Sequence, residues 1–110
     1  MTQGEIWYVD LNPVKGSEQA GYRPVVVLSG NLLNKYLDVV IVCPLTTKIM
    51  NYKGNIVLTP DPENGLTNKS EILLFHIRSV SKPRFIKEIG KITQGQLDEL
   101  IDNLNDILRY

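Results

Sequence analysis

Residues 10–24, DLNPVKGSEQAGYRP, hold the densest set of side chains that could bind or transform a ligand. The segment is longer than the ~2–5 residues that usually connect two strands of a hairpin. Long loops carried on a rigid scaffold are more often functional than short turns. The side chains it presents are those of Lys15, Ser17, Glu18, Gln19, Tyr22 and Arg23. Two kinds of interpretation stay open. In the structural one, Glu18 and Arg23 pair with each other or Arg23 stitches the loop to the barrel; in the functional one, the loop forms the edge of a binding site.

A second polar cluster, PLTTKIMNYKGN (44–55), follows an apolar run. Paired threonines at the end of a strand are often explained by β-propensity and turn formation. However, loops at the same end of a barrel come together, so Thr46 and Thr47 can approach Arg23. An arginine with threonine hydroxyls is an oxyanion site suited to phosphate. Lys48 and Lys53 would add positive charge beside it.

The segment LLFHIRSV (73–80) contains the only histidine of the chain, His76. Histidine is the side chain that ordinarily changes charge between pH 5 and 8, which suits it to acid–base work. If this segment is a strand, Phe75 and His76 face opposite ways and Arg78 shares the face of His76. The alternatives are that His76 bonds a backbone carbonyl and that Arg78 braces the scaffold rather than binding phosphate.

Short apolar runs separated by turn residues predict strands in the first three quarters of the chain. These strands are predicted over 5–11, 23–30, 39–46, 54–60, 71–80 and 85–92. The run over 23–30 is apolar on both faces, which is typical of a central strand. A short helix is predicted over 31–38 with Asn31 as its N-cap, and a loop over 60–70.

The last part of the chain has the 3.6-residue period of an amphipathic helix. Its apolar stripe consists of Leu97, Leu100, Ile101, Leu104, Ile107 and Leu108. Thr93 and Gln96 have the spacing of a capping box, so the helix is predicted to begin there. The stripe indicates a helix that closes one side of the fold, with part of it available to a partner chain. The elements together predict a mainly β protein with α: a compact antiparallel barrel or strongly bent sheet with a C-terminal amphipathic helix.

The length, net charge and cysteine content limit the class of protein to which the chain can belong. A chain of 110 residues predicts a single domain, 1–110. Twelve basic and twelve acidic residues give zero formal net charge, which argues against a general polyanion binder but allows a local basic patch. Cys43 is the only cysteine, which excludes an intramolecular disulfide and suggests a small core residue. There is no signal-peptide pattern and no apolar run of the ~18 residues that span a bilayer, so we expect a cytoplasmic protein without a membrane partner.

Three segments in order, GEIWYVDLNPVKGSEQAGYRPVVVLSGNLLN (4–34), VIVCPLTTK (40–48) and LLFHIRSVSKPR (73–84), resemble the MazF/PemK family of toxin endoribonucleases from toxin–antitoxin modules. With the C-terminal helix, the resemblance covers nearly the whole chain. It implies an SH3-like barrel similar in fold to the CcdB gyrase-poisoning toxins, acting as a homodimer. It also implies sequence-specific cleavage of single-stranded RNA without metal or cofactor, and neutralisation by a cognate antitoxin with a disordered tail.

The resemblance also implies roles for particular residues. In this chemistry the 2′-OH of the RNA attacks the phosphate, giving a 2′,3′-cyclic phosphate and a 5′-OH. Arg23 would stabilise the charge of the transition state, with proton donation to the leaving oxygen as an open second role, and Thr46 would hydrogen-bond the phosphate. His76 is the candidate for acid–base work. The residues expected to hold the loop or contact RNA are Lys15, Ser17, Glu18, Gln19, Thr47, Lys48, Lys53 and Arg78.

One pair of residues departs from the family pattern. Many relatives place an acid, assigned in some as the catalytic base, where this chain has Phe75, and an amide where it has His76. Phenylalanine accepts no proton, so an alternative stays open: a non-enzymatic toxin on the same fold, such as a gyrase poison of the CcdB type. A peptide-binding SH3-like module would need an aromatic-lined groove, and the aromatic residues are scattered along the sequence.

Overall fold

The fold was analysed in a computed structural model, which describes residues 1–11 and 21–110. Its strands and helices are β1 (Glu5–Asp10), β2 (Tyr22–Val27), α1 (Asn31–Tyr36), β3 (Val39–Thr46), β4 (Ile56–Leu58), β5 (Ser70–Ile72), β6 (Arg78–Ser81), β7 (Phe85–Lys91) and α2 (Gln94–Arg109). Two 3₁₀ turns, Leu74–His76 and Lys82–Arg84, flank β6. None of the helices in these described ranges is long and apolar enough to cross a membrane.

The strands form one strongly curled antiparallel sheet in the order β4-β5-β3-β2-β1-β7, with β6 also paired to β3. The predicted fold class, a bent antiparallel sheet with a C-terminal helix, is therefore confirmed. β3 pairs with three other strands: with β2 along one edge, and along the other with β6 over its first half and with β5 at its end. β2 is central, as predicted, and lies between β1 and β3.

Alternation along the central strands sends side chains into two cores, one on each face of the sheet. Val26, Cys43 and Leu45 lie in a cluster covered by α2, whereas Val25 and Val42 lie in a second cluster on which Trp7 and Phe85 pack. Trp7 and Phe85 meet edge to face with ring centroids 5.9 Å apart. Burial raises the pKa of the Cys43 thiol to about 12, which fits the predicted core role.

The predicted strand over 71–80 is wrong, and the register of β3 gives the reason. β3 pairs Leu45 with Ile72 and Val42 with Arg78. Leu45 lies three residues after Val42, whereas Arg78 lies six residues after Ile72. The segment from Ile72 to Arg78 is therefore longer than the part of β3 that it faces, and its additional residues leave the sheet as the 3₁₀ turn Leu74–His76. The predicted strand over 54–60 is likewise shorter than expected, since only Ile56–Leu58 pair with a neighbour.

The helices differ from prediction mainly at their ends. α1 begins after Gly30, which is its N-cap; the predicted cap, Asn31, instead accepts a hydrogen bond from the Gln3 N–H through its side chain. The predicted capping box of α2 is present: Thr93 Oγ1 accepts from the Gln96 N–H, and Gln96 Oε1 accepts from the Thr93 N–H. Leu97 and Leu100, on the apolar stripe of α2, are buried in the core. The stripe no longer packs on the core at the end of the helix, where Leu108 is 74% exposed.

Candidate active site

The register of the two central strands brings the first polar cluster to the second. β2 pairs Val25 with Pro44, and antiparallel pairing moves one strand back as the other moves forward. Arg23, near the start of β2, therefore comes level with Thr46, the last residue of β3. Both residues line one open cavity of about 350 Å³, together with Tyr22, Thr47 and Ser70. Arg23 and Thr47 are exposed and Thr46 is half-buried.

A second cavity, of about 250 Å³, is also lined by Thr46. Its lining includes Lys48, Tyr52, Phe75 and His76. Phe75 stands edge to face with Tyr52, at 5.3 Å between ring centroids, and its ring lies 4.8 Å from that of His76. Thr46 is the residue that the Arg23 cavity and the His76 cavity share.

The prediction that Phe75 and His76 face opposite ways is wrong, because both lie in the 3₁₀ turn rather than in a strand. Both are exposed and line the same cavity. The inference that Arg78 shares the face of His76 loses its basis for the same reason. Arg78 is exposed in β6 opposite Val42, away from the end of β3.

Four aromatic residues that are far apart in the sequence line neighbouring cavities: Tyr8, Tyr22, Tyr52 and Phe75. A third cavity of about 420 Å³ includes Tyr8, Tyr22 and Lys87, and it shares Tyr22, Thr47 and Ser70 with the Arg23 cavity. We call the three cavities in series the groove. Exposed aromatic side chains lie along it, from Tyr8 and Tyr22 past the Arg23 cavity to the rings around Phe75.

The remaining predicted residues divide into two sets. Lys48 lies in the groove, whereas Lys53 is exposed in the turn before β4. Four candidates of the long loop, Lys15, Ser17, Glu18 and Gln19, lie outside the described residues. Within the part of the chain that the structure describes, no group of three His, Cys, Asp or Glu side chains is placed to hold a metal ion.

Sequence reasoning missed Glu71, a completely buried carboxylate in β5 that pairs with Thr46 across the sheet. Burial raises the pKa of this carboxyl, but hydrogen bonds from Asn55 and from the Met50, Asn51 and Tyr52 N–H groups outweigh it and hold the pKa below the ordinary 4.5. The sequence gives little signal, since Glu71 follows the polar residues Asn68, Lys69 and Ser70 and stands at the start of the apolar run ILL.

The lowered pKa of Glu71 predicts a specific acid sensitivity. The folded protein stabilises the ionised carboxyl more than the unfolded chain does. The resulting contribution to the free energy of unfolding is therefore complete above about pH 4.5 and is lost as pH falls through the folded-state pKa. Denaturant unfolding at a series of pH values should show stability falling with acid in this window, with a shallower slope for Glu71→Gln. Equal slopes for the two proteins would contradict the assignment.

A family model described as PemK-like, MazF-like toxin of type II toxin-antitoxin system matches residues 2–108. The chain is 32% identical over 108 residues to the endoribonuclease EndoA of Bacillus subtilis, covering 97% of this chain and 90% of that protein. It is 36% identical over 106 residues to the endoribonuclease MazF of Staphylococcus epidermidis, covering 96% and 88%. The fold superposes with a TM-score of 0.82 on a MazE-MazF crystal structure from Deinococcus radiodurans, at 25% identity over 98% of this chain and 95% of the other.

Proposed function

The chain belongs to the PemK-like, MazF-like toxin family of type II toxin–antitoxin systems, and from this premise we propose that it is an endoribonuclease that cuts single-stranded RNA in the groove. Two of its relatives are named endoribonucleases and align with it over almost its whole length. The observation that carries the proposal is the β2–β3 register, which sets Arg23 beside Thr46 on one open cavity. The match to residues 2–108 also supports our proposal that residues 1–110 act as one toxin domain.

The reaction needs little from the protein because RNA supplies its own nucleophile. The O2′ oxygen attacks the adjacent phosphorus, the P–O5′ bond breaks, and the products are a 2′,3′-cyclic phosphate and a 5′-OH. Negative charge on the phosphoryl oxygens grows as the O2′–P bond forms. We assign its stabilisation to the guanidinium of Arg23, whose planar fork of N–H donors matches two phosphate oxygens at once.

Thr46 is assigned a hydrogen bond to the same phosphate. Its Oγ1 accepts from the Lys48 N–H at 3.1 Å. A hydroxyl has one donor and two acceptor sites, so this contact orients the oxygen and leaves its hydrogen for the ligand. Thr46 is half-buried and joins the Arg23 cavity to the His76 cavity, whereas Thr47 is exposed and joins the Arg23 cavity to the third cavity, which lacks His76. This difference favours Thr46 as the phosphate ligand.

His76 is assigned the proton transfer. In this scheme the neutral imidazole takes the proton from the 2′-OH as the O2′–P bond forms, and water protonates the leaving O5′. The support is its position in the cavity that shares Thr46 with the Arg23 cavity. Because Phe75 stands where many relatives have an acid, His76 is the side chain of the 3₁₀ turn that can accept a proton.

The groove fits a single strand better than a duplex. Bases of a single strand are free to stack on aromatic side chains, and this sequence-tolerant contact is a common way of holding unpaired RNA. Tyr8, Tyr22 and Phe75 offer exposed rings, and Lys48 adds positive charge for the backbone. In the third cavity, Lys87 offsets the charge of Glu88. We propose that differences in these contacts from one base to the next give the enzyme a preferred cleavage sequence.

The partners follow from the family. A relative from Deinococcus radiodurans was solved as a MazE-MazF complex, and we propose that this chain is likewise neutralised by a cognate antitoxin. An acidic tail with apolar residues, folding on binding, would complement the basic and aromatic lining of the groove. We also propose a homodimer, for which the exposed end of α2 at Ile107 and Leu108 offers unpartnered apolar surface.

The two threonines give a paired test of the phosphate assignment. Thr46→Val keeps the shape of the side chain and removes the hydroxyl, so kcat/KM for a short RNA should fall about 10- to 100-fold, as for a lost hydrogen bond to a charged group. Thr47→Val is the comparison variant: Thr47 lines the groove without being assigned to the phosphate, so its loss of kcat/KM should be clearly smaller than that of Thr46→Val. A larger loss for Thr47→Val than for Thr46→Val would reverse the assignment.

A further inference from the structure

Glu71 is a buried charge that the proposed chemistry leaves unused. Its side chain is completely buried, yet the carboxylate accepts four hydrogen bonds from the segment that follows β3. Oε1 accepts from the Met50 N–H at 2.6 Å and the Asn51 N–H at 2.9 Å. Oε2 accepts from the Tyr52 N–H at 3.0 Å and from Asn55 Nδ2 at 2.8 Å. A buried carboxylate is tolerated only when it is satisfied in this way.

The backbone of the segment is shaped around this anion. Three successive N–H groups, from Met50 to Tyr52, point at one carboxylate, the arrangement known as an anion-binding nest. Asn51 reaches it with a positive φ of 54°, a conformation that asparagine adopts more readily than most residues. The conformation of residues 50–52 is therefore set by contacts to Glu71 rather than by pairing with another strand.

The same carboxylate is coupled to both sides of the His76 cavity. On one side it holds Tyr52, whose ring packs on Phe75. On the other, Asn55 donates to Glu71 and accepts from the Leu74 N–H at 3.0 Å, the first residue of the 3₁₀ turn that carries Phe75 and His76. Glu71 also pairs with Thr46 across the sheet.

From this geometry we infer that Glu71 is a positioning residue of the RNA-cleavage site: its carboxylate fixes residues 50–52 so that Tyr52 packs against the Phe75–His76 turn and forms an RNA-binding wall beside Thr46. The inference rests on the proposed function, because it assigns the wall to RNA. It requires that loosening residues 50–52 weaken the binding of RNA more than the chemical step. Arg23 and Thr46 stay on β2 and β3, and the turn that carries His76 keeps its own backbone bonds, from the His76 N–H to the Leu73 carbonyl and from the Ile77 N–H to the Leu74 carbonyl.

Glutamine cannot replace the carboxylate. Each carboxylate oxygen accepts two donors, so the NH₂ group of Glu71→Gln must face two N–H groups whichever way it turns. Rotating the Asn55 amide to accept instead would break its bond from the Leu74 N–H. The variant keeps the size of the side chain and loses only the ability to hold the segment.

The test compares steady-state cleavage of a short single-stranded RNA by wild type, Glu71→Gln and Val40→Ala, at a temperature where circular dichroism shows all three folded. Val40→Ala is the control, since it removes buried side chain from the second core, which contains neither Glu71 nor Tyr52. We expect KM of Glu71→Gln to rise about tenfold, as for a lost base–aromatic contact, with kcat little changed. Val40→Ala should match wild type in both constants.

Each outcome separates this inference from the proposed function. Wild type that cleaves no RNA overturns both, whereas active wild type with equal KM for Glu71→Gln and Val40→Ala overturns this inference only. A fall in kcat without a rise in KM also contradicts it. If Glu71→Gln does not fold, Asn55→Ala serves instead. It removes one of the four hydrogen bonds to Glu71 together with the bond from the Leu74 N–H, and it should raise KM by less than tenfold, while an unchanged KM would overturn the inference.

Discussion

Replacing Arg23 by alanine should lower kcat for RNA cleavage by about 10²- to 10³-fold, the usual cost of removing one pre-aimed donor from the developing charge of a transition state. The side chain is exposed at the start of β2, so the fold should be unaffected by its removal. The loss should therefore appear in single-turnover cleavage rates while the unfolding midpoint stays at the wild-type value.

Two further variants sharpen this prediction. Arg23→Lys keeps the charge but lacks the planar fork of donors, so it should recover only part of the rate. Arg109→Ala removes the same kind of exposed side chain from the last turn of α2 and should cleave as wild type does. If Arg23→Ala and Arg109→Ala cleave equally well, Arg23 is not part of the site.

The second large effect is expected at His76. Removing a general base typically costs about 10²- to 10⁴-fold in rate, and His76→Gln should show a loss in this range. The loss should appear in kcat rather than in KM, because the ring is assigned to proton transfer and not to holding the RNA. Single-turnover cleavage of one short RNA by the variant and by wild type measures it.

Phe75→Leu is the control for the neighbouring ring. It keeps an apolar side chain in the same 3₁₀ turn and should raise KM while kcat stays near the wild-type value. If His76→Gln keeps the wild-type rate, the proton acceptor is another group. The long-loop candidate Glu18 would be tested next.

The fold was predictable from the sequence wherever a local pattern of residues determines the structure. The run around Val25 and Val26 that is apolar on both faces, the apolar period from Leu97 and the Thr93–Gln96 pair each reflect a local rule, and the structure follows all three. The proximity of Arg23 to Thr46 could also be predicted, since loops at one end of a curled sheet come together.

What the sequence did not reveal depends on register. The surplus residues between Ile72 and Arg78 become visible only when both ends are paired to β3, so LLFHIRSV resembled one strand. Phe75 and His76 were consequently assigned to opposite faces. Glu71 was missed because its donors, the N–H groups of residues 50–52, belong to a distant segment and leave no residue-type signature.

The most direct test of the central claim is a digest of single-stranded RNA by the wild-type protein in excess EDTA, with the ends of the products identified by mass spectrometry and end labelling. The groove chemistry predicts 2′,3′-cyclic phosphate and 5′-OH ends, formed at the same rate with and without chelator. Products with 5′-phosphate ends, or cleavage abolished by EDTA, would contradict attack by the 2′-OH at Arg23 and Thr46. A folded protein that leaves a broad panel of RNAs intact would contradict the endoribonuclease itself and direct the next test to gyrase binding.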